Sequence, residues 1–114
     1  MTIKRGGIYL AALDPVIGKE ISKTRPVVIV SNDKNNEFSG TVTIIPITSK
    51  NLQNIYPFEV FLPLGNGNLP KNSKVKADQI RTLDKSRIVK FIGTLLEKEM
   101  DRIGNAIKIH LNLP

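Results

Sequence analysis

The sequence predicts a mainly β domain, a small barrel or sandwich closed by a C-terminal helix, and two observations carry that expectation. Short apolar runs rich in β-branched residues recur between clusters of Gly, Pro, Asn and Asp, the spacing of successive strands in a small all-β fold. After residue 94 the apolar period changes: Leu96, Met100, Ile103, Ile107 and Leu111 recur at helical intervals.

Each element has its local reason. Residues 8–13 form a first apolar run between the Gly6-Gly7 breaker and Asp14-Pro15. A polar loop to Thr24 leads into residues 26–30, a continuous apolar strand of the kind buried on both faces. Residues 31–40 read as turn chemistry, and residues 41–47 as a third strand ending at Thr48-Ser49. Residues 58–62 are a fourth, followed by a Gly/Asn/Pro-rich connection at 65–70 and further short strands at 74–82 and 87–93. Thr94-x-x-Glu97 has the spacing of a capping box ahead of the helix.

A chain of 114 residues fits one domain, read here as 1–114, with a single core. Seventeen Lys and Arg against ten Asp and Glu give a net charge of +7, which favours a polyanionic partner, nucleic acid first. The absence of cysteine rules out disulfides and thiolate metal sites. No run approaches membrane-spanning length and the start lacks a long apolar stretch, so the cytoplasm is the expected compartment.

Most chemistry-bearing residues have a plain structural reading. His110 is the sole histidine, without the partners a metal site or a catalytic triad needs. Glu97, Glu99 and Asp101 suit the start of the helix. Gly65-Asn66-Gly67 lacks the Lys-Ser/Thr that a phosphate-cradling loop requires and reads as a turn. What remains is a set of polar groups at strand ends: Arg25, Thr48, Lys76, Asp78, Gln79 and Arg81. In Arg25-Pro26 the proline pushes Arg25 toward extended geometry, so its guanidinium is presented where loop becomes strand.

In this order, Arg5-Gly6 before Ile8-Tyr9-Leu10, Asp14-Pro15, Gly18-Lys19-Glu20, Arg25-Pro26-Val27-Val28-Ile29-Val30, Pro46-Ile47-Thr48-Ser49 and Asp78-Gln79-Ile80-Arg81-Thr82-Leu83-Asp84 resemble the MazF/PemK family of toxin endoribonucleases nearly end to end. The resemblance implies an SH3-like barrel of the CcdB/PemK type with a C-terminal helix, a homodimer, an acidic antitoxin as partner, no cofactor, no membrane, and metal-independent, sequence-specific cleavage of single-stranded RNA. It makes Arg25 and Thr48 the central catalytic pair, and its plasmid-encoded branch gives acid/base work to the positions of Asp78 and Lys76. Lys19, Lys23, Ser49, Lys76, Gln79 and Arg81 become candidate RNA contacts. Two positions depart from the family pattern: Ile21 follows Glu20 where Gln is usual, and Gly7 follows Arg5-Gly6 where an acid is usual.

The same roles follow from side-chain chemistry. RNA is cut without a metal or protein nucleophile when its own 2′-hydroxyl attacks the adjacent phosphorus. The protein then supplies a base, an acid and donors facing the phosphoryl charge. Arg25 offers a permanent cation and a fork of N–H donors, Thr48 a hydroxyl, and a carboxylate such as Asp78 or Glu20 the base. Two alternatives share the fold or the charge: a CcdB-like toxin that binds a topoisomerase, and a non-catalytic basic module that holds RNA. The Arg25/Thr48 pair distinguishes the first, since a pure protein binder has no use for it. On the nuclease reading the two side chains are expected in one groove with residues 76–81 along its wall.

Overall fold

One long strand organises the chain. The computed structural model describes residues 2–114, with elements β1 (Gly7–Ala12), β2 (Thr24–Ile29), α1 (Asp33–Phe38), β3 (Thr41–Thr48), β4 (Glu59–Leu62), β5 (Ser73–Lys76), β6 (Arg81–Asp84), β7 (Ile88–Thr94) and α2 (Glu97–Leu111). The strands pair antiparallel in the order β4-β5-β3-β2-β1-β7, with β6 also on β3. The architecture is the predicted one, mainly β with a C-terminal helix, and the pairing leaves the sheet open between β4 and β7.

Because successive strand side chains point to opposite faces, an apolar run buried on both sides builds two cores at once. Residues 26–30 behave as expected. Val28 and Val30 join Ile8, Ile45, Ile47, Leu62 and Val75 on the face covered by α2, which contributes Met100, Ile103 and Ala106. Val27 and Ile29 join Tyr9, Ala11, Leu13, Val42, Ile44 and Leu83 on the other face. The helix stripe is buried only in its middle: Leu96 and Leu111 are exposed, while Ala106 takes an inward position.

Three local readings are corrected. Residues 31–40 are not all turn, because the Asn32 side chain accepts the Asn35 N–H at 2.8 Å and so caps the short helix α1. The helix cap lies two residues later than Thr94-x-x-Glu97: the N-cap of α2 is Leu96, whose N–H donates to the Glu99 carboxylate at 2.8 Å. Thr94 is unavailable for that role because it ends β7. The strand read at 74–82 is interrupted by a 3-10 turn, Ala77–Gln79.

That interruption has a register cause. Along one edge of β3, Thr48 and Ile47 face Lys74 and Val75, whereas Ile44 to Thr41 face Arg81 to Asp84. Had the first register continued, Ile44 would have met Asp78. Three residues are in excess, and they leave the ladder as the 3-10 turn that carries Asp78 and Gln79. Among the described residues no helix is long and apolar enough to cross a membrane.

A close backbone approach joins β7 to the 3-10 turn at Asn66–Asn68, where a Cβ on Gly93 would lie 2.3 Å from the Gly67 carbonyl oxygen. Backbone on both sides leaves nothing flexible to give way. Gly93→Ala is expected to destabilise the fold by about 1–3 kcal/mol through overpacking. Gly104→Ala, inside α2 with nothing within 4 Å of the new carbon, should instead stabilise it by about 0.5–1 kcal/mol. Urea unfolding of the two variants checks both signs.

Candidate active site

The pairing of β2 with β3 matches Val27 to Pro46, Val28 to Ile45 and Ile29 to Ile44. The ladder ends there; its register extended by two residues would set Arg25 opposite Thr48. Thr48 in turn faces Lys74 on β5, and Lys74 faces Phe61 on β4. Directly paired residues share a face, so Thr48, Lys74 and Phe61 form one row across three strands, and Arg25 falls on the extension of that row beyond the end of the β2–β3 ladder. In the next row of β4 and β5, Lys76 is paired with Glu59.

Arg25 is half-buried and anchored by its Nε, which donates to the Ser22 carbonyl at 3.2 Å. It forms no ion pair among the described residues. The Thr48 hydroxyl oxygen accepts the Lys50 N–H at 3.2 Å, which orients it and leaves its own proton free to donate. Arg25 and Ser49, with Thr24, Pro26 and Ile47, also line a cleft of about 200 Å³ at these strand ends.

Beneath the 49–58 loop lies a buried ionic cluster. Lys74 is 2% exposed and uses its three donors on the Asn51 carbonyl (2.9 Å), the Asn54 carbonyl (2.9 Å) and Glu59 Oε1 (3.0 Å). Glu59 takes Lys74 on one oxygen and Lys76, at 2.7 Å, on the other, while Oε1 also accepts the Tyr56 N–H at 3.0 Å. Burial by itself would push the Glu59 carboxyl up. The hydrogen bonds from Lys76, Tyr56 and Lys74 outweigh it and hold the group below the ordinary glutamate value of 4.5. Removing one partner of such a cluster costs about 3–5 kcal/mol, because a desolvated charge is left unpaired.

Asp78 approaches Lys76 from the other side, Oδ1 lying 3.8 Å from Nζ. That oxygen is buried and, among the described residues, has no hydrogen-bond partner. A buried acceptor without a donor is costly.

The other predicted residues divide. Gln79 accepts the Ile21 N–H at 3.4 Å and Arg81 donates to the Leu13 carbonyl at 3.3 Å, so Gln79 fastens the 14–24 loop and Arg81 the residue that leads into it. Arg87, which the sequence reading did not single out, adds bonds to the Ala12 and Asp14 carbonyls. Lys19 and Lys23 are exposed on that loop. Glu20 is not brought to the row: its carboxylate accepts the Ile17 N–H at 2.8 Å and closes its own turn. His110 lies beside Phe58 on the exposed end of α2, with ring centroids 6.3 Å apart. Glu59 and Lys74 were missed altogether. The available signals were a charge inside the apolar run 58–62 and lysines two apart in 74–76.

A family description, PemK-like, MazF-like toxin of type II toxin-antitoxin system, matches residues 4–111. The chain belongs to that family. It is 40% identical over 111 residues to an endoribonuclease MazF of Staphylococcus saprophyticus, covering 97% of this chain and 92% of the relative. Among solved structures, MazF from Deinococcus radiodurans superposes with a TM-score of 0.85 at 25% identity, covering 99% of each chain. An endoribonuclease in complex with its cognate antitoxin from a mycobacterial species superposes at 0.77 with 25% identity, covering 99% of this chain and 96% of that one.

For this PemK/MazF-like toxin the Glu59 cluster sets an acid limit. A carboxyl depressed in the folded state contributes stability above its unfolded value and loses it as pH falls through the folded value. Unfolding free energy should therefore fall on acidification below 4.5. Lys76→Met, which removes the strongest of the partners that lower Glu59, should flatten the fall. Urea titrations of the two proteins at neutral and acid pH measure the difference, and parallel pH profiles would assign the acid lability elsewhere.

Proposed function

We propose that this toxin is a metal-independent, sequence-specific endoribonuclease that cleaves single-stranded RNA at a phosphate held between Arg25 and Thr48. The observation that carries the reading is the unpartnered, buried Oδ1 of Asp78 beside Lys76, on the turn that follows Lys76. Asp78 accepts the 2′-hydroxyl proton, the 2′-oxygen bonds to phosphorus, and the bond from phosphorus to the 5′-oxygen breaks as Lys76 gives that oxygen a proton. The Arg25 guanidinium and the Thr48 hydroxyl face the charge that grows on the non-bridging oxygens. The ends left are a 2′,3′-cyclic phosphate and a 5′-hydroxyl. Asp78 is favoured over Glu20 as base because Glu20 is exposed and occupied within its own turn. Lys19, Lys23 and Ser49 supply contacts to the flanking strand, while Gln79 and Arg81 act there through the loop they fasten.

One experiment tests the nucleophile. A single 2′-deoxy substitution on the 5′ side of the scissile phosphate should abolish cutting while leaving binding nearly intact, since phosphates supply most of the affinity. EDTA should change nothing. Arg25→Ala should lower the rate by roughly two or more orders of magnitude, the scale for removing a preorganised donor to an oxyanion, and Thr48→Val by less. Cleavage of the deoxy strand at the same bond would hand the attack to water.

The protein acts as a homodimer, neutralised by an antitoxin as in the mycobacterial complex. With a net charge of +7 on the toxin, the matching segment is acidic, disordered until bound, and laid over the RNA groove. Sedimentation should read a dimer at micromolar concentration. Such a segment should displace RNA from it, with an affinity that falls as salt rises. A monomer, or RNA and segment bound together, would refute the respective claim.

A further inference from the structure

The ionic cluster under the 49–58 loop is more than the fold needs, since well-packed apolar residues hold strands together at least as firmly as buried charges do. Its geometry suggests a use. Glu59 has no exposed side-chain surface and cannot itself reach a substrate. Its Oε1 is taken by Lys74 and the Tyr56 N–H, and Lys74 is fixed in turn by the two loop carbonyls. Only Oε2 is left for Lys76, which it binds at 2.7 Å.

Lys76 differs from its neighbour in being partly open, with 23% of its side chain exposed against 3% for Lys74. Of its three N–H donors one is spent on Glu59, and Asp78 at 3.8 Å is beyond hydrogen-bond reach. A lysine on a flexible four-carbon stem is otherwise free to rotate. We infer that Glu59 is a positioning residue: held rigid by Lys74 and the 49–58 loop, it locks the Lys76 ammonium in one place with its remaining protons turned toward the reacting phosphate. This rests on the nuclease reading of the site. It extends the machinery to two buried residues, Glu59 and Lys74, which touch neither substrate nor solvent.

A double-mutant cycle tests it. Glu59→Gln leaves one oxygen and one amide where two lysines need two acceptors, so Lys76 loses its fixed partner. With wild-type Lys76, kcat should fall at least about tenfold with KM little changed, the scale of misplacing a catalytic group by roughly an ångström. With Lys76→Met, where Lys74 still pairs with Glu59, the same substitution should change kcat less than about twofold, because the effect acts through Lys76. Glu99→Gln, altering a buried carboxylate that only caps α2, should lower stability and leave kcat unchanged. Equal losses in both backgrounds would make Glu59 merely structural and overturn the inference. Absence of RNA cleavage by the wild-type protein would overturn the nuclease reading instead. Should Glu59→Gln fail to fold, the complex with a 2′-deoxy strand decides: Lys76 Nζ bonded to both Glu59 and the 5′-oxygen supports positioning, and a Lys76 that has left Glu59 overturns it.

Discussion

Everything about the site follows from what β3 must pair with. An interior strand has donors and acceptors on both edges, and leaving them unpaired inside a protein is costly. β2 satisfies one edge, and β5 and β6 divide the other. The chain from Ser73 to Asp84 is three residues longer than that edge can use, so the excess is expelled as a turn. Asp78 leaves the ladder because β3 has no place for it.

The second constraint is electrostatic. Lys74, Glu59 and Lys76 are removed wholly or partly from water, and the Coulomb attraction of such a cluster offsets desolvation only when every remaining donor is satisfied. The 49–58 loop supplies what is missing, through the Asn51 and Asn54 carbonyls and the Tyr56 N–H. The loop that starts just past Thr48 is thereby tied to the charges beneath it. Its path and the position of Lys76 are parts of one network.

The 14–24 loop is held by a different device. Arg81, Arg87 and Gln79 bind backbone groups at Ala12, Leu13, Asp14 and Ile21, and the Leu13 N–H reaches the Lys23 carbonyl at 2.9 Å. Arg81, a cation that looked like a nucleic-acid contact, is thus employed in fixing backbone. Arg25, Lys76 and the exposed Lys19 and Lys23 of the loop are among the charges left to meet a polyanion.

Local information in the sequence determined much of this. Apolar runs rich in β-branched residues mark β1, β2 and β3, the helical period marks α2, and Arg25-Pro26 announces a guanidinium at a strand entrance, because each depends on residues adjacent in the chain. The ordered run of family motifs named Arg25, Thr48 and Asp78. Other features were out of reach. The α2 cap moved from Thr94 to Leu96 because β7 claims Thr94 for the sheet, and the strand at 74–82 broke because its register against β3 changes midway. Glu59 and Lys74 are fifteen residues apart, and nothing in either segment says that they meet. The sequence by itself determined which residues prefer strand or helix. Only the tertiary structure decided which charges are buried together and which residues the ladder rejects, since pairing across strands is settled by non-local hydrogen bonds and desolvation.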